Sequence, residues 1–131
     1  TKIAWSIDNR TACYRLVGEG TKGVRIECRT PGSDINPYLA CAAQLAAGLA
    51  GIEEGLSLEP PVTGDVYKMD DVPMLPHTLR AATETLRSSA MLRKVMGDDV
   101  IDHYTRAAEV EQEAFDAVVT DYEIARGFER A

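Results

Sequence analysis

The segment between Asn36 and Gly55 constrains the fold of this chain most strongly. Asn36 followed by Pro37 is the pattern of a helix N-cap with proline at the first helical position, and Gly55 supplies a left-handed stop. We therefore predict an α-helix over residues 37–54. Its apolar residues occupy nearly every helical face, so we expect it to be covered on all sides; they are Leu39, Ala42, Ala43, Leu45, Ala46, Leu49 and Ile52.

Two short strands are predicted before that helix. Residues 12–17 and 24–29 are short runs that contain β-branched or aromatic side chains, and the glycine-rich run 18–23 joins them. This pattern is typical of a β-hairpin. The sequence therefore predicts an antiparallel hairpin as the first element.

The remaining residues are predicted to form a loop and then helices. Proline and glycine are dense in residues 56–76, which prevents a long regular element. A helix is predicted to begin at Thr78, and a shorter one to stop at Gly97. The fold class is therefore α+β, with a hairpin followed by four to five helices.

The last helices carry recognisable capping signals. Asp98 or Asp99 is the expected cap of the longest helix, whose apolar stripe we expect to include Tyr104 and Phe115 in the core. Thr120 and Glu123 have the spacing of a capping box, which predicts that the helix restarts or kinks there.

Composition disfavours several classes of protein. With 14 basic and 21 acidic side chains the formal charge is -7, which disfavours nucleic acid as a partner. The most apolar stretch, residues 38–52, is shorter than the roughly 20 residues that span a bilayer, so no membrane partner is expected. Cys13, Cys28 and Cys41 form no C-x-x-C pair, and we interpret them as reduced, buried thiols in the cytoplasm.

The second predicted strand has one charged face. Side chains alternate along a strand, so Arg25, Glu27 and Arg29 project together. Hydrophobic matching favours a register in which Arg15 lies across from Arg25. With Arg10 nearby, four arginines would then surround one carboxylate, which suits binding of a phosphate or carboxylate, and Glu27 would be able to hold a divalent cation. A solvated, purely structural face remains the alternative.

The order and spacing of these residues resemble the C-terminal catalytic motif of the glutamine synthetase family. The similarity runs through residues 9–12, Arg15, residues 25–29 and residues 36–39, and it continues to residues 120–123. It therefore covers essentially the whole chain. Residues 5–10 and 31–36 are more similar to the branch that joins glutamate to amines or polyamines than to the ammonia-using enzymes.

The resemblance implies roles for individual residues. Glu27 matches a carboxylate ligand of a catalytic Mg²⁺ or Mn²⁺, and Arg29 matches the arginine that binds the glutamate side-chain carboxylate. Arg10, Arg15 and Arg25 match arginines that contact the nucleotide phosphates and the transferring phosphoryl group. The resemblance thus implies that the catalytic residues are Arg10 and Arg29. Tyr67 falls where some bacterial relatives carry a nucleotidylated tyrosine, but we expect it to be a buried loop anchor.

The implied chemistry is ATP-dependent ligation of glutamate to ammonia or an amine through a γ-glutamyl phosphate. The resemblance also implies a ring-forming homo-oligomer whose sites lie between neighbouring subunits. We expect residues 1–131 to be the C-terminal portion of the catalytic domain, without the N-terminal β-grasp domain and upstream ligands, and inactive alone. The alternative is a non-catalytic helical interaction or assembly module, in which helix 37–54 docks a partner.

Overall fold

The structure, a computed structural model, describes residues 2–130. The described chain forms two compact units, the first ending at Leu75 and the second beginning at Pro76. Strands and one long helix make up the first unit, and helices make up the second. The predicted α+β class is confirmed.

A three-stranded sheet forms the beginning of the first unit. Strands β1 (Trp5–Ile7), β2 (Tyr14–Val17) and β3 (Arg25–Cys28) lie in the order β1-β2-β3. β2 and β3 are antiparallel, which confirms the predicted hairpin, and β1 pairs with β2 in parallel. The sequence pattern did not predict β1, because three residues are too few to show an alternation.

The predicted register of the hairpin is wrong by two residues. Arg15 lies opposite Glu27, not Arg25, and Leu16 lies opposite Ile26. The observed register places opposite charges directly across the strands, where the predicted one would have placed two arginines. A shift of two residues keeps each side chain on its predicted face, so the division into an apolar and a charged face survives.

Helix α1 (Pro37–Glu53) begins and ends as predicted. The Asn36 side chain accepts hydrogen bonds from the backbone N–H groups of Tyr38 and Leu39, and Gly55 has a φ of 62°. The expected cover is absent, however, because Ala46 is the one buried residue of α1 and Ile52 is 78% exposed. A 17-residue helix is about 25 Å long, whereas these strands span about 13 Å, so the sheet is too small to cover it.

The segment after α1 is irregular, as predicted, apart from a short 3₁₀ turn at Val66–Lys68. Val66 is fully buried there and forms the core of the first unit with Ala12, Cys13 and Ala46. Cys28 is half-buried and Cys41 is exposed, so the expectation of three buried cysteines is wrong for these two.

The described residues of the second unit, 76–130, form four helices. They are α2 (Leu79–Arg87), α3 (Ala90–Met96), α4 (Asp98–Asp116) and α5 (Asp121–Arg130). The Thr78 side chain caps α2, as the sequence predicted. Thr120 and Glu123 form the predicted capping box: the Thr120 N–H donates to Glu123 Oε2, and the Glu123 N–H donates to Thr120 Oγ1.

Two predictions for α4 are wrong. Its N-cap is Gly97 rather than an aspartate, since Gly97 is the single residue between α3 and α4 and is the cap of both. Asp98 and Asp99 occupy the first turn, where carboxylates favour the helix dipole. Phe115 is 67% exposed and Tyr104 is 39% exposed, so neither is the core residue that the sequence suggested, and the buried residues of α4 are Ile101 and Thr105.

Ion pairs join α2 to α4 along their contact. Arg80 Nη2 lies 2.6 Å from Asp116 Oδ2, and Arg87 pairs with Glu109. Among residues 2–130, no helix combines the length and apolar character needed to cross a membrane.

Candidate functional site

The connection between β1 and β2 presents Arg10. Asn9 Oδ1 accepts hydrogen bonds from the N–H and Oγ1 of Thr11, which closes a tight turn around Arg10. Asn9 Nδ2 also donates to the Gly64 carbonyl at 2.8 Å, and Thr11 Oγ1 accepts from the Val66 N–H at 3.0 Å. Arg10 therefore projects from a turn that is fastened on both sides to the segment around Val66.

The hairpin gathers two arginines on one carboxylate. Arg15 Nη1 donates to Glu27 Oε2 at 2.9 Å, while Arg25 donates through Nε and Nη2 to Glu27 Oε1 at 3.1 and 2.8 Å. A second carboxylate, Asp8, accepts from Arg15 Nη2. We call these four residues the Glu27 cluster: Asp8, Arg15, Arg25 and Glu27.

The contacts of the Glu27 cluster fix its protonation states. Hydrogen bonds from Arg15 first, and from Arg25 next, hold the pKa of Glu27 below its ordinary value. Hydrogen bonds to Asp8 first and to Glu27 next raise the pKa of Arg15. Glu27 is therefore a carboxylate at neutral pH, and it accepts hydrogen bonds without donating any.

The expectation of four arginines around Glu27 is half correct. Arg15 and Arg25 contact it, whereas Arg10 and Arg29 are exposed, and among residues 2–130 neither of their side chains makes a hydrogen bond or ion pair. The Arg29 backbone N–H donates to the Cys13 carbonyl at 2.8 Å, which anchors Arg29 one residue beyond β3.

Sequence reasoning missed Asp8. Its carboxylate balances the Glu27 cluster to two positive and two negative charges, so the cluster carries no net charge. The sequence offered one indication of a turn here, the pair Asp8-Asn9, because both residue types tolerate the left-handed backbone conformation. The unpredicted strand β1 is what carries Asp8 to Arg15.

Glu27 suits a divalent cation as one ligand rather than as a complete site. Within the described part of the chain no three His, Cys, Asp or Glu residues are grouped to hold a metal ion. Mg²⁺ is often held by one or two carboxylates together with phosphate oxygens and waters, so a single ionised carboxylate is compatible with it. Each Glu27 oxygen already accepts from an arginine, so an ion would share or replace these contacts.

Tyr67 is not the buried anchor that the sequence suggested. Its side chain is 61% exposed, and the preceding residue, Val66, is buried instead. Asp65 caps the 3₁₀ turn by accepting from the Tyr67 N–H at 3.1 Å. This turn therefore displays Tyr67 outward.

The arrangement of the first unit suits an anionic ligand. Arg10 and Arg29 carry positive charge that no described carboxylate neutralises, and both flank strands of the same sheet. Guanidinium groups bind phosphates and carboxylates through paired N–H donors. The ionised Glu27 adds an oxygen ligand for a metal ion that accompanies a phosphate.

Comparison with known proteins identifies the family of this chain. The model of the glutamine synthetase catalytic domain matches residues 1–127. The gamma-glutamylethanolamide synthetase of Streptomyces coelicolor is 48% identical over 130 residues, which are 99% of this chain and 28% of that protein. The glutamine synthetase of Thermus thermophilus is 37% identical over 133 residues, covering 96% of this chain and 30% of that protein.

A third relative is named for an alkylamine. The glutamate–isopropylamine ligase of a Pseudomonas species is 35% identical over 127 residues, covering 94% of this chain and 27% of that protein. The chain thus belongs to the glutamine synthetase catalytic-domain family. It spans less than a third of the length of these relatives.

Proposed function

We propose that this chain supplies the arginine- and carboxylate-bearing part of the catalytic site of an ATP-dependent glutamate–amine ligase. In this proposal residues 1–131 form the C-terminal portion of a longer catalytic domain and do not complete the reaction alone. The observation that carries the proposal is the pairing of Arg15 and Arg25 with the ionised Glu27, together with the exposed Arg10 and Arg29, whose side chains pair with no residue between 2 and 130.

The proposed reaction has two steps. An oxygen of the glutamate γ-carboxylate attacks the γ-phosphorus of ATP, the bond from that phosphorus to the bridging oxygen of ADP breaks, and ADP leaves. The amine nitrogen then attacks the acyl carbon of the γ-glutamyl phosphate, phosphate leaves with the C–O electron pair, and the nitrogen loses a proton. Charge builds up on phosphoryl oxygens in the first step and on the leaving phosphate in the second.

The arginines are proposed to stabilise that charge. The contacts of Asn9 and Thr11 fix the backbone on both sides of Arg10, so its exposed side chain extends from a fixed point toward the transferring phosphoryl group in this proposal. Arg15 and Arg25 are proposed to contact nucleotide phosphates, and Arg29 to bind the glutamate side-chain carboxylate. Mg²⁺ or Mn²⁺ held in part by Glu27 would supply neutralising charge at the phosphates.

An alkylamine is proposed as the second substrate in preference to ammonia. One relative described above is named as a gamma-glutamylethanolamide synthetase and another as a glutamate–isopropylamine ligase. The first of these is 48% identical to this chain, whereas the Thermus glutamine synthetase is 37% identical. We also propose that the ligase is cytoplasmic and works as a homo-oligomer with sites between neighbouring subunits.

The test is a ligase assay on the full polypeptide that carries these residues. ATP and glutamate are supplied with ammonia, ethanolamine, isopropylamine or a diamine, while phosphate release and the amide product are measured. We expect amide formation with at least one amine. Arg29→Ala is expected to lower kcat/KM for glutamate by about a hundredfold, the size of effect seen when a charge-stabilising donor is removed.

Lys22→Ala is the matched control. Lys22 is an exposed cation in the loop between β2 and β3, and its removal changes the net charge by the same amount as Arg29→Ala. Its activity should equal that of the unmodified protein. The proposal fails if no amine supports phosphate release, or if Arg29→Ala and Lys22→Ala behave alike.

Helix α1 favours the second candidate, a non-catalytic assembly module. Tyr38, Leu45 and Ile52 are each at least 65% exposed, which is unusual for large apolar side chains on one helix. Binding of magnesium–nucleotide to the chain separates the two candidates. A ligase predicts weak binding that falls when Arg10 is changed to alanine, whereas a module predicts no dependence on Arg10.

A further inference from the structure

Asp8 has an unusual backbone conformation. Its φ is 46°, and it is the one non-glycine residue with positive φ between residues 2 and 130. Side chains other than glycine are strained in this region, although aspartate and asparagine tolerate it better than most. Strain of this kind persists where surrounding contacts hold it, and it is frequent near functional groups.

Two contacts hold Asp8 in place. Its backbone N–H donates to the Leu16 carbonyl at 2.9 Å, which extends the pairing of β1 with β2 by one residue. Its carboxylate accepts from Nη2 of Arg15, the residue before Leu16. The strained turn therefore directs the Asp8 carboxylate back toward β2.

Arg15 depends on this contact. Its side chain is 14% exposed, and its buried Nε has no hydrogen-bond partner among residues 2–130. The guanidinium is thus fixed through its terminal nitrogens, with Asp8 on Nη2 and Glu27 on Nη1. Without Asp8, one contact to Glu27 would remain, and a single hydrogen bond does not fix the orientation of a planar fork.

We propose that Asp8 is a positioning residue that fixes the orientation of Arg15 relative to Glu27. The consequence for catalysis rests on the proposed function, because there Arg15 meets the nucleotide phosphates beside Glu27. The competing explanation is that Asp8 is present only because the turn between β1 and β2 requires a residue tolerant of positive φ.

Two substitutions separate these explanations. Asp8→Asn tolerates positive φ and keeps an oxygen acceptor but loses the charge, whereas Asp8→Gly adopts this φ without strain and loses the acceptor as well. If Asp8 positions Arg15, both variants loosen the Arg15 guanidinium, and Asp8→Gly does so more. If the backbone is the whole reason, Asp8→Gly leaves Arg15 unchanged.

The measurement is NMR of the full chain labelled with ¹⁵N-arginine. The rate of rotation about the Nε–Cζ bond of Arg15 reports how firmly its guanidinium is held. We expect this rate to rise about two- to fivefold in Asp8→Asn, consistent with the loss of one partly exposed ion pair, and further in Asp8→Gly. An unchanged Arg15 rate in Asp8→Gly would overturn the proposal.

Two controls accompany the measurement. Glu19→Gln removes one exposed negative charge from the same unit and should leave Arg15 unchanged. Arg93, which pairs with Asp98 at 2.7 Å and Asp102 at 2.8 Å in the second unit, should keep its rate in all variants. The measurement needs no nucleotide or amine, so its result tests the role of Asp8 independently of the result of the ligase assay.

Discussion

Arg15 and Glu27 lie directly across the hairpin from each other, with Arg15 Nη1 2.9 Å from Glu27 Oε2. Arg25 pairs with the other oxygen of the same carboxylate. The Glu27 carboxylate thus pairs with two neighbouring guanidinium groups, and its loss leaves these two cations without the carboxylate that they share. The stability of the sheet should therefore depend on Glu27 more than on either arginine.

Glu27→Ala is expected to lower the free energy of unfolding more than the double substitution Arg15→Leu with Glu27→Ala. The single change leaves the half-buried Arg15 with one carboxylate and an arginine neighbour, whereas the double change removes that repulsion. Urea unfolding followed by circular dichroism measures both. A double variant less stable than Glu27→Ala would contradict this account.

Thr11→Val tests the turn that presents Arg10. The substitution removes the oxygen that accepts from the N–H of the fully buried Val66, and it offers no replacement. We expect a loss of about 1–3 kcal/mol in the free energy of unfolding, the usual cost of an unsatisfied buried donor. Thr63→Val, at an exposed position nearby, is the control and should be close to neutral.

Ile101→Ala tests the core of the second unit. Ile101 is 1% exposed and is the largest fully buried side chain of α4, so its truncation leaves a cavity. A loss of about 2–5 kcal/mol is expected from denaturant unfolding. Val119→Ala, at a residue that is 69% exposed, should change stability by less than about 0.5 kcal/mol.

The contact of α2 with α4 predicts acid sensitivity. Hydrogen bonds from Arg106 first and then Arg87 lower the pKa of Glu109, and hydrogen bonds from Arg80 first and then Gln112 lower the pKa of Asp116. A carboxylate with a lowered pKa binds fewer protons when folded than when unfolded. Its contribution to stability is complete above the unfolded pKa of about 4 and is lost as the pH falls through the folded value.

Thermal unfolding between about pH 6 and pH 2 measures this effect, since the window brackets ordinary carboxylate titration. The melting temperature of the protein should fall in acid. The variant carrying both Glu109→Gln and Asp116→Asn should show a weaker dependence on pH. Equal slopes in the two proteins would show that these ion pairs do not couple to folding.

The sequence predicted the helices better than the sheet, for a physical reason. Asn36, Gly55, Thr78 and Thr120 act through hydrogen bonds or backbone angles within a few residues, so their effect is visible locally. Strand pairing joins distant residues, and two registers that differ by two residues present the same faces. Hydrophobic matching favoured the wrong register, whereas the opposite charges of Arg15 and Glu27 would have indicated the observed one.

The candidate site was predictable in its residue types but not in its pairing. Alternation along β3 placed Arg25 with Glu27, and the structure agrees. Asp8 could not be assigned, because its contact with Arg15 depends on a parallel strand of three residues. The exposure of α1 could not be predicted either. An apolar helix sequence indicates that the helix requires a packing partner, but it does not indicate which segment or chain provides that partner.

Gly97 ends α3 and begins α4 with a φ of 89° and a ψ of 152°, a combination open essentially to glycine. The connection between α3 and α4 is thus one residue long. A protease needs several extended residues to enter its cleft, and this junction offers none, unlike the connection at residues 117–120 between α4 and α5. Limited digestion of the second unit should therefore release α5 before it separates α3 from α4.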